Sequence, residues 1–426
     1  MERQLKILNK PPIKTFVTKE GETIDCIDIN KQPSLDHPLL KNHKVQRRPS
    51  SHIISSPTYS PTSKSVIFGL REPCPLGTVP IPRVRKEDLI RAKSIINDFS
   101  LVGMNGEYPG HHLVFVLVND LDTKYGAEAH LSCYNLTVPQ DQFSVHKLSI
   151  ENGPDAHLST IHAGWGVHPT LNGDGLTRLI TFWTGDSFRN GCFNTQCRGF
   201  VQTHSEVTTN YPLSPTSTYG GDTYELVVRV EQDNRSRNWW LVVRHDIAIG
   251  YWPSELFANL ADGAKRVSWG GEGFSGNAGT CPPMGSGHMP DGYYNHAAYF
   301  GQINYMTGRE TKQIPLAVFE HVDKSKVYRL KNDRIIRKDM GSSGWLAPRG
   351  LSATARGPQS PRRRLVRITA PIKLATLVGG LVQTKASHKQ GHLRLRLGHG
   401  KVGLTVAPKP PPGLGKVASE GFVALA

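Results

Sequence analysis

The sequence predicts a mainly β protein, an antiparallel sandwich or barrel, with an N-terminal segment of different texture and a disordered basic C-terminal tail. Three observations predict it. Apolar residues fall in short runs or in strict alternation, the signature of strands. The 426-residue chain carries 42 Gly and 30 Pro, suited to many tight turns. Long patterns of helical period are scarce.

In chain order, Glu22–Ile29 alternates at Ile27 and Ile29 and ends in the proline-bounded Gln32–Leu40 stretch. Residues 49–64 are rich in Ser, Pro and Thr, have no period, and read as a linker. Leu89, Ile90, Ile95 and Ile96 among charged residues predict a short helix over 85–98. Gly103, Gly106, Pro109 and Gly110 then break the chain. His112–Val118 reads as a buried strand, and Arg178–Thr184 as another, rich in β-branched and aromatic types. Thr223–Val230 alternates, with Tyr224, Leu226, Val228 and Val230 on one face; Trp239–Val243 follows after a turn at Asp233–Ser236. Three regions emerge: 1–110, a domain over 111–316, and an atypical basic tail over 317–426. Within the tail, His392–Leu397 alternates like an isolated cationic strand.

The formal charge of +16 is confined to one end. Residues 321–426 hold 21 basic and 4 acidic groups, a net of +17, which leaves −1 for residues 1–320. A neutral globular part gives no reason to expect a nucleic-acid partner. No apolar run is long enough to span a membrane, and Met1–Lys6 lacks the apolar core of a signal peptide. Six cysteines and the sequons Asn135-Leu136-Thr137 and Asn234-Arg235-Ser236 point the other way, to an oxidising compartment.

Several constellations fall short of known chemistry. His157, His162 and His168 match no zinc spacing, so neither metal nor cofactor is expected. Met284-Gly285-Ser286-Gly287 lacks a residue of the nucleophile elbow, and Gly270-Gly271-Glu272-Gly273 lacks the lysine of a phosphate loop.

Other motifs are more specific. Residues 26–43, from Cys26-Ile27-Asp28-Ile29 through Pro33-Ser34-Leu35-Asp36-His37-Pro38, form one. Thr160-Ile161-His162-Ala163-Gly164-Trp165-Gly166-Val167 is a second, joined by Gly191-Cys192-Phe193-Asn194 and Cys197-Arg198-Gly199-Phe200. Gly250-Tyr251-Trp252-Pro253 with Trp269-Gly270-Gly271-Glu272 is a third. Together they resemble, in order over residues 5–305, the plant neprosin family of secreted peptidases.

The resemblance implies a glutamic-peptidase-like sandwich of two antiparallel sheets, a removable activation peptide over 1–110, and a pair of catalytic glutamates. One carboxylate activates water while its protonated partner donates a proton, which suits acid pH and proline- or glycine-rich peptides. Here Glu272 stands at one position and His162 at the other. The resemblance therefore implies a weakened or altered endopeptidase; the alternative is an inactive protein that binds proline-rich or cell-wall ligands. It further implies a secreted monomer, disulfides Cys26–Cys74 and Cys192–Cys197, and free Cys133 and Cys281. His162 and Glu272 are expected within one water of each other, in a pocket lined by Trp165, Trp183 or Trp269 as substrate-binding residues. Replacing His162 with Glu is expected to restore acid cleavage. Residues 1–110 are expected to pack over that cleft as an inhibitory segment, with 26–48 near His162 and Glu272. Residues beyond about 340 are expected to be a frame change or read-through that packs on nothing.

Overall fold

Strand-forming sequence dominates the chain, and the fold follows from how its alternation is buried. A computed structural model describes residues 2–50, 63–91, 95, 110–187, 189–277, 279–308, 311–332, 351–355, 392–397 and 400–405. The linker expected at 49–64 and the breaker stretch 103–110 lie mostly outside them.

Seven strands form one antiparallel sheet, in the order Cys192–Phe193, Arg178–Thr184, Ser159–Val167, Phe143–Asn152, Arg266–Phe274, His111–Val118 and Phe319–Val322. A second sheet runs Val201–Gln202, Ile247–Trp252, Trp239–Val243, Thr223–Gln232, Gly126–Ser132, Tyr299–Met306, Leu351–Ala355 and Tyr328–Asn332. Lys312–Gln313 and Ser63–Ser65 attach at its side. The inner faces enclose one core, to which Val116, Leu148, Ile161, Trp165 and Trp269 contribute from the first sheet and Leu131, Leu226, Val228, Trp239 and Leu241 from the second. The two-sheet reading therefore holds.

His111–Val118 shows how register decides exposure. Expected to be buried on both faces, it instead alternates: His112, Val114, Val116 and Val118 are buried while His111, Leu113, Phe115 and Leu117 are half-buried. The second set lies on the outer face of its sheet.

A smaller sheet, Lys14–Val17, Thr23–Asp28 and Thr78–Pro82, gathers the N-terminal segment, and the Cys26–Cys74 disulfide crosses it with Cα atoms 5.5 Å apart. Cys192–Cys197 closes a tight loop with Cα atoms 6.0 Å apart, and Cys133 and Cys281 are free thiols. Residues 86–91 and 95 are helical, within the helix expected there.

The Gln32 side-chain amide donates to the Gln202 carbonyl at 3.0 Å and accepts from its N–H at 2.8 Å. An amide thus completes the hydrogen bonding of a sheet edge as another strand would. Leu35 and Val45 pack on Val201, Trp240 and Tyr251, and His43 reaches the Tyr251 hydroxyl at 2.8 Å and Glu255 at 2.9 Å.

At the far end the expected boundary moves. Phe319–Val322 pairs with His111–Val118, and Leu351–Ala355 pairs with both Tyr299–Met306 and Tyr328–Asn332. Residues 317–332 and 351–355 therefore belong to the sandwich, correcting both the tail's start at 317 and the expectation that nothing beyond 340 packs. Their alternation supplies strand partners that the charge count had hidden. Residues 361–426 form a separate unit, in which His392–Leu397 makes an antiparallel hairpin with Gly400–Thr405. No described helix is long and apolar enough to cross a membrane.

Candidate active site

Period-two alternation across five neighbouring strands puts one set of side chains on the outer face of the first sheet. Register aligns Glu272 with Val145 and Leu113, and His162 with Ser149 and Phe182. Lys147 sits between Gly164 on one neighbour and Gly270 on the other. A Cβ at Gly164 would stand 2.0 Å from the His146 carbonyl oxygen, and one at Gly270 2.2 Å from that of Val114, so neither position admits a side chain. The lysine thus rises between two bare positions.

Its ammonium joins the two residues singled out from the sequence. Lys147 Nζ donates to His162 Nδ1 at 3.0 Å and to Glu272 Oε2. Glu272 Oε1 lies 2.8 Å from His111 Nδ1. These groups sit at the floor of a cleft of about 380 Å³, walled by Leu113, Phe115 and Leu117 on one side and by Ile180, Phe182 and Phe193 on the other. Where a water was expected between His162 and Glu272, the lysine stands.

Burial alone would raise the Glu272 carboxyl. The Lys147 ammonium and then the hydrogen bond and charge of His111 outweigh it and hold the group well below the usual carboxylate range. Burial first and the Lys147 charge second push His162 well below the ordinary imidazole value, so it stays neutral and accepts through Nδ1. An ionised carboxylate beside a neutral imidazole is a different centre from two carboxyls sharing one proton.

The tryptophans expected to line the cleft do not. Trp165, Trp183 and Trp269 are 0%, 1% and 1% exposed and belong to the core between the sheets. Trp165 Nε1 donates to the Ser132 carbonyl and Trp269 Nε1 to that of Glu128, both on the second sheet. The reason is parity: Trp165 is three residues from His162 and Trp269 three from Glu272, so each points to the opposite face. Phenylalanines and leucines line the cleft in their place.

The 26–48 segment also lies elsewhere, on the second sheet's edge against Gln202, Tyr251 and Glu255, and none of it lines the cleft. This corrects the expectation of occlusion by those residues. Ile95 from the later part of the N-terminal segment instead packs with Phe143, Val145 and Ile180 at the cleft wall.

Lys147 and His111 were not singled out from the sequence. A lysine within the strand-like stretch Phe143–Ile150 was the available signal, because a buried ammonium needs an anionic partner. His111 carried none.

Comparison with sequence families matches residues 140–342 to the neprosin domain and residues 15–102 to the neprosin activation peptide. Among solved structures, scytalido-glutamic peptidase with a transition-state analogue inhibitor is similar at 9% identity, over 57% of this chain and 98% of that one, with a TM-score of 0.32. A homodimeric agglutinin from chicken liver is similar at 8% identity, over 37% and 92%, with a TM-score of 0.20.

Proposed function

Because the chain belongs to the neprosin family, we propose that its outer cleft binds extended peptides and hydrolyses them slowly, as a glutamic endopeptidase with an altered centre. The observation that supports this reading is the convergence of Glu272, Lys147, His162 and His111 on the floor of one apolar cleft.

In this reading the Glu272 carboxylate takes a proton from water as its oxygen bonds to the carbonyl carbon, and returns that proton to the leaving amine as the C–N bond breaks. The Lys147 ammonium and the Nε2–H of neutral His162 are the donors available to the carbonyl oxygen as negative charge develops on it. A carboxylate held far below its ordinary value is a poor proton acceptor, so turnover is slow. The same depression keeps Glu272 ionised in acid, consistent with work at acid pH. Walls of Leu, Ile and Phe suit proline rings and the small surface of glycine-rich peptide. Two disulfides fit an extracellular protein, acting as a monomer.

One observation favours a second reading: the Lys147–Glu272 ion pair occupies the group that would act as base. A protein that binds proline-rich or cell-wall ligands without cleaving them needs no free base. Turnover of a proline-rich peptide between pH 3 and 7 separates the two. Under the peptidase reading, Glu272→Gln lowers cleavage at least about 100-fold while peptide affinity is retained. Affinity without cleavage in the unaltered protein would leave only the binding reading.

A further inference from the structure

On the opposite side of the sandwich, the outer face of the second sheet carries a polar cluster that the cleft does not use. Alternation in Thr223–Gln232 turns Leu226, Val228 and Val230 into the core and Glu225, Arg229 and Glu231 outward. These three are nevertheless only 7%, 4% and 5% exposed. The neighbouring Gly126–Ser132 strand aligns Glu128 with Arg229 and His130 with Val227, and both Glu128 and His130 are buried. His245 joins them from the turn after Trp239–Val243, where Arg244 and His245 adopt left-handed backbone with φ of 52° and 72°.

We propose that Glu128, His130 and His245 form a binding site for a divalent transition-metal ion, of which zinc best fits two imidazole nitrogens and a carboxylate. One ligand atom from each lies within 4.8 Å of the others. Two of the nitrogens are otherwise unexplained: His130 Nε2 and His245 Nδ1 are buried without a hydrogen-bond partner. His130 as a whole is 3% exposed, so its nitrogen forgoes water as well.

The remaining nitrogen of His130 is arranged as metal-binding histidines usually are. Its Nδ1 lies 3.1 Å from Glu225 Oε2, and Glu225 Oε1 accepts from the Tyr299 hydroxyl at 2.5 Å. A carboxylate behind the ring fixes the proton on Nδ1, frees the Nε2 lone pair and raises its basicity.

Two cations oppose the ion. Lys312 Nζ lies 2.7 Å from Glu128 Oε2, and an Arg229 nitrogen 3.6 Å from the same oxygen. Arg229 also pairs with Glu231 at 3.0 Å. Among the described residues, the carboxylates of Glu128, Glu225 and Glu231 face the cations of Arg229 and Lys312. Zinc bonds of about 2 Å in a tetrahedron hold ligand atoms roughly 3.4 Å apart, so the three side chains close by about 1 Å on binding.

Titrating zinc chloride into the full chain by calorimetry, with cobalt(II) absorption as a second readout, tests the site. His245→Asn removes one ligand at a position whose backbone asparagine tolerates, so folding is retained. We expect one zinc equivalent in the unaltered protein, binding at least tenfold weaker in His245→Asn, and 10- to 100-fold weaker in Glu225→Gln. Zinc should raise the melting temperature of the unaltered protein and not that of His245→Asn. Equal zinc binding by the unaltered protein and His245→Asn would place the ion elsewhere and overturn the proposal. No zinc binding at all would overturn it too, leaving the two nitrogens to buried water.

Discussion

Lowering the pH from 7 to about 4.5 destabilises the fold by about 5 kcal/mol, and its thermal midpoint falls by roughly 5–10 °C. His146 in the first sheet and His168 just after its Ser159–Val167 strand drive this, and a third buried imidazole, His162, acts in the same direction. Burial pushes His146 and His168 down to about 3 and holds His162 well below its ordinary value. His146 is 1% exposed, stacks on Phe300 with ring centres 4.0 Å apart, and has its Nδ1 buried without a partner. His168 stacks on Phe143 at 4.6 Å and accepts the Leu171 N–H through Nδ1 at 3.2 Å.

The unfolded chain takes up protons at His146 and His168 from about pH 6.5 downward, while the folded chain does not until about pH 3. Their contribution is therefore complete above the unfolded value and drains away as pH falls below it. Each of His146 and His168 loses about 1.4 kcal/mol per pH unit, or about 2.7 kcal/mol at pH 4.5. Against a usual stability of about 5–15 kcal/mol that is a large share. His168→Asn keeps the acceptor that caps residues 169–172 and cannot titrate. It should recover about half the loss. A melting temperature equal at pH 7 and 4.5 would refute the account, and acid stability would then need another explanation.

The second large effect belongs to the cleft. Replacing His162 with Glu, the change that the family resemblance implies would restore activity, leaves the Lys147 ammonium between two carboxylates. Both would stay ionised, and no proton would be shared. The double variant Lys147→Gln/His162→Glu removes the cation and sets two carboxyls together, so one retains a proton in acid. Cleavage of a proline-rich peptide at acid pH should rise at least about 100-fold over the parent, while His162→Glu alone rises far less. If the folded double variant cleaves no faster than the parent, Glu272 does not act as proposed.

How much of this was legible from the sequence depends on the length scale. Strands such as Arg178–Thr184 and Trp239–Val243 were readable because their composition is local. Both disulfides followed from the family resemblance and match the observed pairs. Parity was readable but unused: residues three apart on a strand face opposite ways, enough to exclude Trp165 and Trp269 from the His162 and Glu272 face. The Lys147 bridge was beyond reach, because it depends on register among strands starting at 143, 159 and 266. Strand partners for 319–322 and 351–355 were hidden likewise, since pairing partners lie up to about two hundred residues away. Alternation in Thr223–Val230 separated two faces of that strand, but it could not show that Glu225 and Arg229 on the polar one are buried too.

The Cys26–Cys74 bridge sets what proteolysis can release. A single cut anywhere between residues 26 and 74 leaves two polypeptides tied by sulfur, so the nicked protein keeps its intact mass plus one water. The amino-terminal fragment appears on a gel only after reduction. A cut beyond residue 74 frees the whole segment from residue 1 to the cut as one piece with its disulfide inside it, held afterwards by contacts such as Gln32 with Gln202 and His43 with Tyr251. Shedding of the activation peptide is thus a dissociation step as well as a cleavage, and its rate belongs to the edge it docks on. Comparing reduced and non-reduced electrophoresis of the processed protein distinguishes the two positions. An amino-terminal fragment ending between residues 26 and 74 that separates without reductant would contradict this connectivity.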